Sequence, residues 1–358
     1  MRTGLQRLSP YWLIVVGVVL VAVIAGVAYA VGQSSGSGGS TAGAASLAKT
    51  CDATAVADRV LPSVVMISAN GATGGGTGSG EVIRSDGYIL TNNHVISEAA
   101  QGGSVEVTFA DGETAPATIT GRDPQTDLAV LHVAPPSGIE VIAIGKSDTV
   151  RVGQPVVAVG APLGLSGTVT AGIVSALNRN VHVPAENGGQ ALLVAAVQTD
   201  AAINPGNSGG ALVNCENQLI GVPTAGAAVP GGGGGSIGLG FAIPVDSAIE
   251  IANELIKNGS VTHSFFGMVT VPVPGSSSSQ SGPPEGLFVQ VVEPNGPAAQ
   301  AGLRTGDVIT EIDGQAATSN IQIESLTLTK RPGDTVSVTY LRDGKTAKAT
   351  ITLGASPT

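Results

Sequence analysis

The feature that most constrains the fold is a series of short apolar runs between residues 63 and 224, each broken by Gly, Asn or Asp. The runs span residues 63–68, 80–83, 88–91, 105–109, 128–133, 156–159, 169–177, 192–199, 211–214 and 218–224. No helical pattern lies between them, which argues against parallel strands joined by helical crossovers. We therefore expect mainly antiparallel β-strands that form a barrel or a sandwich.

A helix and a second group of strands follow this region. One face of residues 245–258 carries the apolar side chains Ile249, Ala252, Leu255 and Ile256. Asp246 is placed to cap this helix and Gly259 to end it. Further apolar runs lie at 266–271, 286–292, 308–312, 335–340 and 345–352, with a short helix predicted within residues 295–302. They indicate a second, smaller β domain.

The N-terminal part has the pattern of a membrane anchor. Residues 11–32 carry no charge and are almost wholly apolar, and at about 1.5 Å per residue they are long enough to cross a bilayer. Arg2 and Arg7 precede this segment and no charged residue follows it before Lys49, which places the N-terminus in the cytoplasm and the remainder outside. A cleaved secretory signal is the alternative, because residues 28–30 resemble a small-residue cleavage site. A Ser/Gly/Ala-rich spacer follows.

Charge and cysteine content limit the possible functions. The net charge of -10 gives no support for a nucleic-acid surface. No spacing typical of metal ligands is present, so neither a metal nor another cofactor is expected. Cys51 and Cys215 are the two cysteines, and an oxidising exterior would allow them to pair. Two free thiols, or pairing with another chain, are the alternatives.

The segment Asn-Pro-Gly-Asn-Ser-Gly-Gly at residues 204–210 contains the candidate nucleophile. A serine between glycines in a tight turn has an accessible hydroxyl with several free backbone N–H groups beside it. Ser208 could therefore carry out acyl transfer, although the same residue types also build ordinary surface turns. A catalytic role requires a general base and a carboxylate that orients it.

Four histidines are available as the base. His94 follows a short apolar strand and two asparagines, so it lies at a strand end where its ring can face a cleft. His132 lies within an apolar run and is interpreted as a sheet residue. His182 and His263 flank loops and have no obvious partner.

Three aspartates compete for the role of the orienting acid. Asp127 directly precedes an apolar strand that would hold it rigidly, and a partly buried carboxylate that accepts from His94 fits a triad. Asp123 precedes a proline and is expected to stay in a turn. Asp111 precedes a glycine and is interpreted as a hairpin residue.

Residues 206–210 also satisfy G-x-S-x-G, the nucleophile elbow of α/β-hydrolases. That fold needs a helix directly after the serine and the chain order Ser, acid, His. Here two glycines and a predicted strand pair follow Ser208, and His263 is the one later histidine. The order His94, Asp127, Ser208 is instead that of chymotrypsin-like proteases.

Several longer stretches carry a family resemblance. They are Gly-Ser-Gly at 78–80, Gly-Tyr-Ile-Leu-Thr-Asn-Asn-His-Val at 87–95, Thr-Asp-Leu-Ala-Val-Leu at 126–131, Gly-Ala-Pro-Leu-Gly at 160–164, Gln-Thr-Asp-Ala-Ala-Ile-Asn-Pro-Gly-Asn-Ser-Gly-Gly at 198–210, and Gly-Leu-Gly-Phe-Ala-Ile-Pro at 238–244. Together they resemble the HtrA/Deg family of trypsin-like serine proteases. Residues 296–309, Gly-Pro-Ala-Ala-Gln-Ala-Gly-Leu-Arg-Thr-Gly-Asp-Val-Ile, resemble a PDZ module. Glu81 is a departure, since the family usually has an apolar residue there.

This resemblance implies a mainly β chain with a chymotrypsin-like double β-barrel and a C-terminal PDZ domain. The expected organisation is a cytoplasmic N-terminus at 1–10, a transmembrane helix at 11–32, a linker at 33–54, a trypsin-like protease domain at 55–261 and a PDZ domain at 262–358. It also implies a site in which His94 is the base, Asp127 orients it and Ser208 attacks.

The same resemblance assigns the binding groups. The oxyanion hole is expected from the backbone of Gly206 and Ser208, with Asn207 nearby. A pocket for small or medium aliphatic side chains is expected from Ile203, Ile237, Gly238, Leu239 and Gly240. The loop that would bind a peptide carboxylate comprises Phe265, Phe266, Gly267 and Met268, beside a strand edge that a peptide could extend.

The implied protein is a single-pass, membrane-anchored, extracytoplasmic serine endopeptidase. It would cleave unfolded or damaged proteins in quality control and the stress response, under the control of peptide C-termini bound to the PDZ domain. A homotrimer is a further expectation. The alternative is a chaperone or a sensor of peptide C-termini whose protease site is held in a resting state.

Overall fold

The computed structural model describes residues 51–72, 74–161, 167–224, 235–273 and 285–356. The predicted N-terminus at 1–10, the transmembrane helix at 11–32 and all but the end of the predicted linker lie outside the described residues. Within the described ranges, no helix is both long and apolar enough to cross a membrane. Helix α1 (Ala53–Val60) includes the last two residues of the predicted linker.

The first group of strands forms a closed barrel. Its strands are β1 (Val64–Asn70), β2 (Gly75–Val82), β3 (Tyr88–Thr91), β4 (Ser104–Thr108), β5 (Thr114–Asp123) and β6 (Leu128–Val133). They are hydrogen-bonded in the order β1-β2-β3-β6-β5-β4, and β4 pairs with β1 to close the ring. Helix α1 (Ala53–Val60) precedes the barrel and helix α2 (Asn93–Ile96) follows β3.

The second group forms another ring. Its strands are β7 (Ala143–Ile144), β8 (Pro155–Gly160), β9 (Thr168–Pro184), β10 (Gln190–Thr199), β11 (Ala211–Val213), β12 (Gln218–Thr224) and β13 (Gly240–Pro244). The order is β11-β8-β9-β10-β13-β12, the ring closes between β12 and β11, and β7 extends it in parallel to β12. The predicted double β-barrel is confirmed by this topology.

Strand β2 belongs to the first barrel, and its two faces have different surroundings. Gly80 and Val82 face the interior of the first barrel, where a Cβ on Gly80 would come within 2.7 Å of Ile89 Cγ2. Because side chains alternate along a strand, Ser79 and Glu81 point the other way. Glu81 lies opposite Val64 and Leu90 in the ladder, and these two belong to the apolar clusters between the barrels.

Glu81 is fully buried and neither carboxylate oxygen has a hydrogen-bond partner among the described residues. Burial raises the pKa of this carboxyl well above its ordinary value of 4.5. Removing a charge from water without a partner is costly, so the neutral acid is the buried form. Glu81 thus occupies an apolar position of the fold, where burial favours its neutral form.

Helix α3 (Val245–Asn258) leads out of the second barrel and ends at Gly259, whose φ of 76° only glycine adopts easily. The predicted cap at Asp246 is wrong, because Pro244 occupies the N-cap position. Asp246 is the second residue of the helix, and its Oδ2 accepts from Ser147 N–H at 2.9 Å and from Asp148 N–H at 3.1 Å. It therefore fixes the helix start to a neighbouring loop.

Among the residues that the structure describes, the C-terminal domain comprises a six-stranded sheet, a two-stranded sheet of β14 and β21, and two helices. Its strands are β14 (Ser264–Phe265), β15 (Met268–Val273), β16 (Gly286–Val292), β17 (Val308–Ile312), β18 (Gln315–Ala316), β19 (Thr335–Arg342), β20 (Lys345–Thr352) and β21 (Gly354–Ala355). Its helices are α4 (Pro297–Gln300) and α5 (Asn320–Thr329). The main sheet has the order β15-β16-β17-β19-β20, so β15 is an edge strand.

Polar contacts join the C-terminal domain to the barrels. His182 Nε2 lies 2.7 Å from Glu324 Oε2, and Arg331 pairs with Glu254 at 2.9 Å. His263 Nε2 lies 2.9 Å from Asp123 Oδ2. The expectation that His182 and His263 lack partners is wrong, because both partners come from segments distant in the chain.

A disulfide joins Cys51 to Cys215, with the two Cα atoms 5.2 Å apart. Cys51 precedes helix α1, and Cys215 lies in the turn between β11 and β12. The bond therefore ties the first described residue to the strand pair that follows Ser208.

Candidate active site

His94 and Asp127 meet at the end of strand β3. The ring Nδ1 lies 2.8 Å from Asp127 Oδ2 and 3.0 Å from Oδ1, and His94 N–H donates to Oδ1 at 3.0 Å. Thr224 Oγ1 donates to Oδ2 at 2.9 Å. The Asp127 side chain is 1% exposed and the His94 side chain 29% exposed. The carboxylate is thus fixed and buried, while the ring reaches the surface.

The backbone around Asp127 is held as firmly as its side chain. Asp127 has a φ of 58°, a left-handed conformation that costs energy for a residue with a side chain. Its carbonyl accepts from Asn93 N–H at 3.1 Å and from Asn92 Nδ2 at 2.9 Å. These bonds connect the acid to the helix turn that carries His94.

The segment before Ser208 has the features of a type II turn. Asn207 N–H donates to Asn204 O at 3.0 Å, Pro205 precedes Gly206, and Gly206 has a φ of 101°. Proline and glycine are the residues this turn prefers at its two central positions. The sequence therefore favours a turn directly before Ser208, the candidate nucleophile.

Ser79 anchors this turn from strand β2. Its Oγ donates to Gly206 O at 2.6 Å and accepts from Ala161 N–H at 2.8 Å. Its N–H donates to Ser208 O at 2.9 Å. A single hydroxyl of the first barrel thus fixes the turn of the second barrel, a role that the sequence pattern alone did not reveal.

Two N–H groups of the predicted oxyanion hole remain available. No described residue accepts a hydrogen bond from the N–H of Gly206 or of Ser208. Asn207 differs, because its N–H is engaged by Asn204 O and cannot serve as a donor to substrate. Its side chain is 1% exposed and its Nδ2 bonds Ala202 O at 3.2 Å. Asn207 supports the turn and does not line the hole.

Ser208 lies near the helix that carries His94, with Gly78 between Ser208 and Val95. A Cβ on Gly78 would come within 3.1 Å of Ser208 O and 2.6 Å of Val95 Cγ2, so a glycine is needed where these residues approach. Ser208 Oγ and His94 Nε2 form no hydrogen bond in the structure. Such bonds are often long in free enzymes and tighten when substrate binds. The structure thus contains the hydrogen bond between His94 and Asp127 but none between Ser208 and His94.

An open cleft of about 380 Å³ lies next to the His94 ring. Its lining comprises His94, Ser97, Glu98, Val183, Pro184, Ala185, Glu186 and Thr224. Arg122 pairs with Glu186 at 2.5 Å at this edge. The exposed side of the ring therefore faces space that an extended peptide could enter.

The predicted aliphatic pocket is only partly enclosed. Ile203 is 3% exposed, and a Cβ on Gly240 would lie 2.6 Å from Ile203 Cγ1. Ile237 and Leu239 are 52% and 40% exposed. Gly238 has a φ of 78°, which turns the chain between them. Gly240 and Ile203 thus meet, whereas the two larger side chains stay open to solvent.

Comparisons with known proteins agree with this geometry. The trypsin-like peptidase domain matches residues 78–222, and the PDZ domain matches residues 260–353. Serine protease PepD of Mycobacterium tuberculosis is 44% identical over 310 residues, 84% of this chain and 65% of that protein. Serine protease Do-like HtrA of Lactococcus lactis is 40% identical over 292 residues, 78% of this chain and 71% of that protein.

A solved structure titled HtrA-type protease AlgW with tripeptide has a TM-score of 0.68 and 35% identity, covering 86% of this chain and 98% of that one. The chain belongs to the HtrA family of serine proteases. The matched region spans 65% of PepD and 56% of a probable periplasmic serine endoprotease DegP-like from Halomonas elongata. Other HtrA relatives are therefore longer than the region shared with this chain.

One of the two phenylalanines in the predicted carboxylate loop of the PDZ domain lies in the domain core. Phe266 is 2% exposed and packs in the domain core, so its ring cannot line a peptide groove. Gly267 has a φ of 69°, which turns the chain into edge strand β15. Asn320, at the start of α5, bonds Thr270 on this strand through Nδ2 to O at 2.9 Å. Helix α5 thus lies along the edge that a peptide would extend.

Proposed function

We propose that the chain is a serine endopeptidase that acts on unfolded or damaged proteins outside the cytoplasm. One observation carries this proposal: a buried Asp127 carboxylate holds Nδ1 of a partly exposed His94 ring at 2.8 Å. A carboxylate in this position fixes the tautomer whose free Nε2 accepts a proton and stabilises the imidazolium that forms. The unengaged N–H groups of Gly206 and Ser208 support the same role.

In the proposed reaction, Ser208 Oγ bonds to the scissile carbonyl carbon while its proton passes to His94 Nε2. The Gly206 and Ser208 N–H groups stabilise the oxyanion. His94 then protonates the leaving amine, the C–N bond breaks and an acyl-enzyme remains. Water attacks this ester with His94 again as the base, which releases the new carboxylate and restores Ser208.

Replacing the nucleophile tests this mechanism. Ser208→Ala should abolish casein cleavage, because loss of the triad serine costs on the order of a millionfold in rate. Ser104→Ala, an exposed serine on β4, is the matched control and should cleave casein like the unmodified chain. Casein cleavage by Ser208→Ala at the control rate, measured by gel and by released peptides, would refute the site.

Anchoring and regulation are further parts of the proposal. The uncharged segment 11–32 supports a single-pass anchor with both domains outside the cytoplasm. The accessible edge of β15, next to α5, supports binding of peptide C-termini by strand addition. The family resemblance supports a homotrimer. Membrane fractionation in alkaline carbonate tests the anchor, since a released secreted form would appear in the supernatant.

A second candidate function is a sensor or chaperone that holds exposed C-termini and seldom cleaves. The absence of a hydrogen bond between Ser208 Oγ and His94 Nε2 in the structure is compatible with such a resting site. Casein turnover measured with increasing amounts of a peptide that ends in a free apolar carboxylate separates the two. Turnover that stays at zero supports the sensor, whereas turnover that is present or rises with peptide supports the protease.

A further inference from the structure

Asp123 and His263 form a buried histidine–carboxylate pair that the proposed reaction does not use. Nε2 lies 2.9 Å from Oδ2, and both side chains are 5% exposed. Burying two polar groups is costly unless they bond each other, and removing either one leaves its partner unsatisfied. The pair must therefore fix the segments that carry it.

On one side the pair controls the turn that ends in Asp127. Asp123 Oδ2 also accepts from Thr126 Oγ1 at 2.6 Å, and Oδ1 accepts from Gln125 N–H at 3.2 Å. The carboxylate thus closes the turn at residues 124–127 from within. Because Asp127 holds a left-handed φ of 58°, this turn keeps its shape only if its surroundings impose it.

On the other side the pair belongs to the C-terminal domain. His263 O accepts from Ser356 N–H at 2.9 Å, and the next residue begins β14, which pairs with β21. Thr262 N–H donates to Glu254 on helix α3 at 3.0 Å. The backbone of His263 is therefore held by the C-terminal domain while its ring bonds the Asp127 turn.

We propose that His263 is a positioning residue for peptide-bond hydrolysis. By donating from Nε2 to Asp123, it holds the turn that sets the direction of the Asp127 carboxylate, and so the geometry of the triad depends on how the C-terminal domain is seated. This inference rests on the proposed function, in which Asp127 orients His94. His263 touches neither substrate nor the reacting atoms.

The test compares variants of the full chain on a quenched fluorescent peptide, with kcat and KM measured separately. His263→Ala should lower kcat by roughly 10- to 100-fold with KM within about twofold, because small displacements of a catalytic group cost about that much in rate. His263→Gln should recover most of kcat, since its amide nitrogen can donate where Nε2 does. His182→Ala is the matched control: it removes another histidine contact between the domains, at 2.7 Å from Glu324, and should keep the unmodified kcat.

The remaining outcomes distinguish a failure of this inference from a failure of the proposed function. An unmodified kcat in folded His263→Ala, beside an inactive Asp127→Ala, overturns the positioning role and leaves the triad in place. Full activity of Asp127→Ala overturns the proposed function itself. An equal loss in His182→Ala overturns the inference, because general docking of the domains would then explain the effect. If His263→Ala does not melt cooperatively, His263→Asn replaces it, since its shorter amide does not reach Asp123.

Discussion

Two histidine–carboxylate pairs stand at opposite ends of one turn. The His94 ring bonds Asp127 at 2.8 Å and is 29% exposed, whereas the His263 ring bonds Asp123 at 2.9 Å and is 5% exposed. Both acids are buried. The pairs have the same chemistry, so what distinguishes a candidate base from an architectural residue is whether the far side of the ring faces a cleft or the protein interior.

The remaining acceptor contacts repeat this parallel. Asp127 also accepts from the Thr224 hydroxyl and a backbone N–H, and Asp123 accepts from the Thr126 hydroxyl and a backbone N–H. Each carboxylate therefore accepts from one imidazole, one threonine hydroxyl and one backbone N–H. The two histidines therefore differ in the exposure of the imidazole ring, and this difference separates their proposed roles.

The largest expected effect distinguishes the two acids. Asp127→Asn should lower kcat by on the order of 10⁴-fold, since an amide no longer selects the reactive tautomer of the base. Asp123→Asn should lower it by only about tenfold, because the Asp127 carboxylate is still present but less firmly placed. Peptide hydrolysis by both purified variants, with melting curves as the folding control, measures the ratio. Equal losses in kcat would break the comparison.

Unlike Asp123 and Asp127, the buried Glu81 carboxyl has no hydrogen-bond partner among the described residues. Burial raises its pKa well above 4.5 in the folded chain, so the folded state keeps a proton that the unfolded chain releases as the pH rises. The stability that neutral Glu81 contributes is fully present below about pH 4.5. As the pH rises toward the folded pKa, the free energy of unfolding falls by about 1.4 kcal/mol per pH unit.

Glu81→Gln removes this titration. Its unfolding free energy should match that of the unmodified chain near pH 4 and exceed it increasingly at higher pH in urea titrations. The control is Glu106→Gln, which changes an exposed glutamate on β4. It should change the pH dependence of the unfolding free energy little. A constant difference between Glu81→Gln and the unmodified chain at every pH would contradict a neutral buried Glu81.

The smallest expected effect concerns the two threonine hydroxyls. Thr224→Val removes one donor to Asp127 and should lower kcat severalfold, given that such a hydrogen bond contributes about 1 kcal/mol. Thr126→Val removes the matching donor to Asp123 and should cost similar stability with a smaller change in kcat. Paired kcat and urea measurements separate the two, and a larger kcat loss in Thr126→Val would reverse the assignment.

Much of the fold was predictable because the strand pattern is local. The runs at 88–91, 128–133, 218–224, 286–292 and 308–312 coincide with strands, and helix α3 was predicted at its observed bounds. Helix α5 was not predicted, because its sequence contains several β-branched residues, which lower helix propensity. A capping box between Ser319 and Gln322 starts it, and packing against the sheet maintains it.

The site was predictable in its residue types and chain order but not in its connections. Within residues 204–210, Pro205 and Gly206 are sufficient to predict the turn. The Ser79 anchor, the Thr224 donor and the His263 contact each join residues more than 90 positions apart. No local pattern encodes such contacts, so the partners of His263 could not be predicted.

Covalent labelling tests the central claim that Ser208 is the nucleophile activated through His94 and Asp127. The full chain would be treated with a fluorophosphonate and digested, and the modified residue identified by mass spectrometry. The account predicts one modified serine, Ser208, with labelling strongly slowed in Asp127→Asn and unchanged in His182→Ala. Labelling of a different serine, or equally fast labelling of Ser208 in Asp127→Asn, would contradict it.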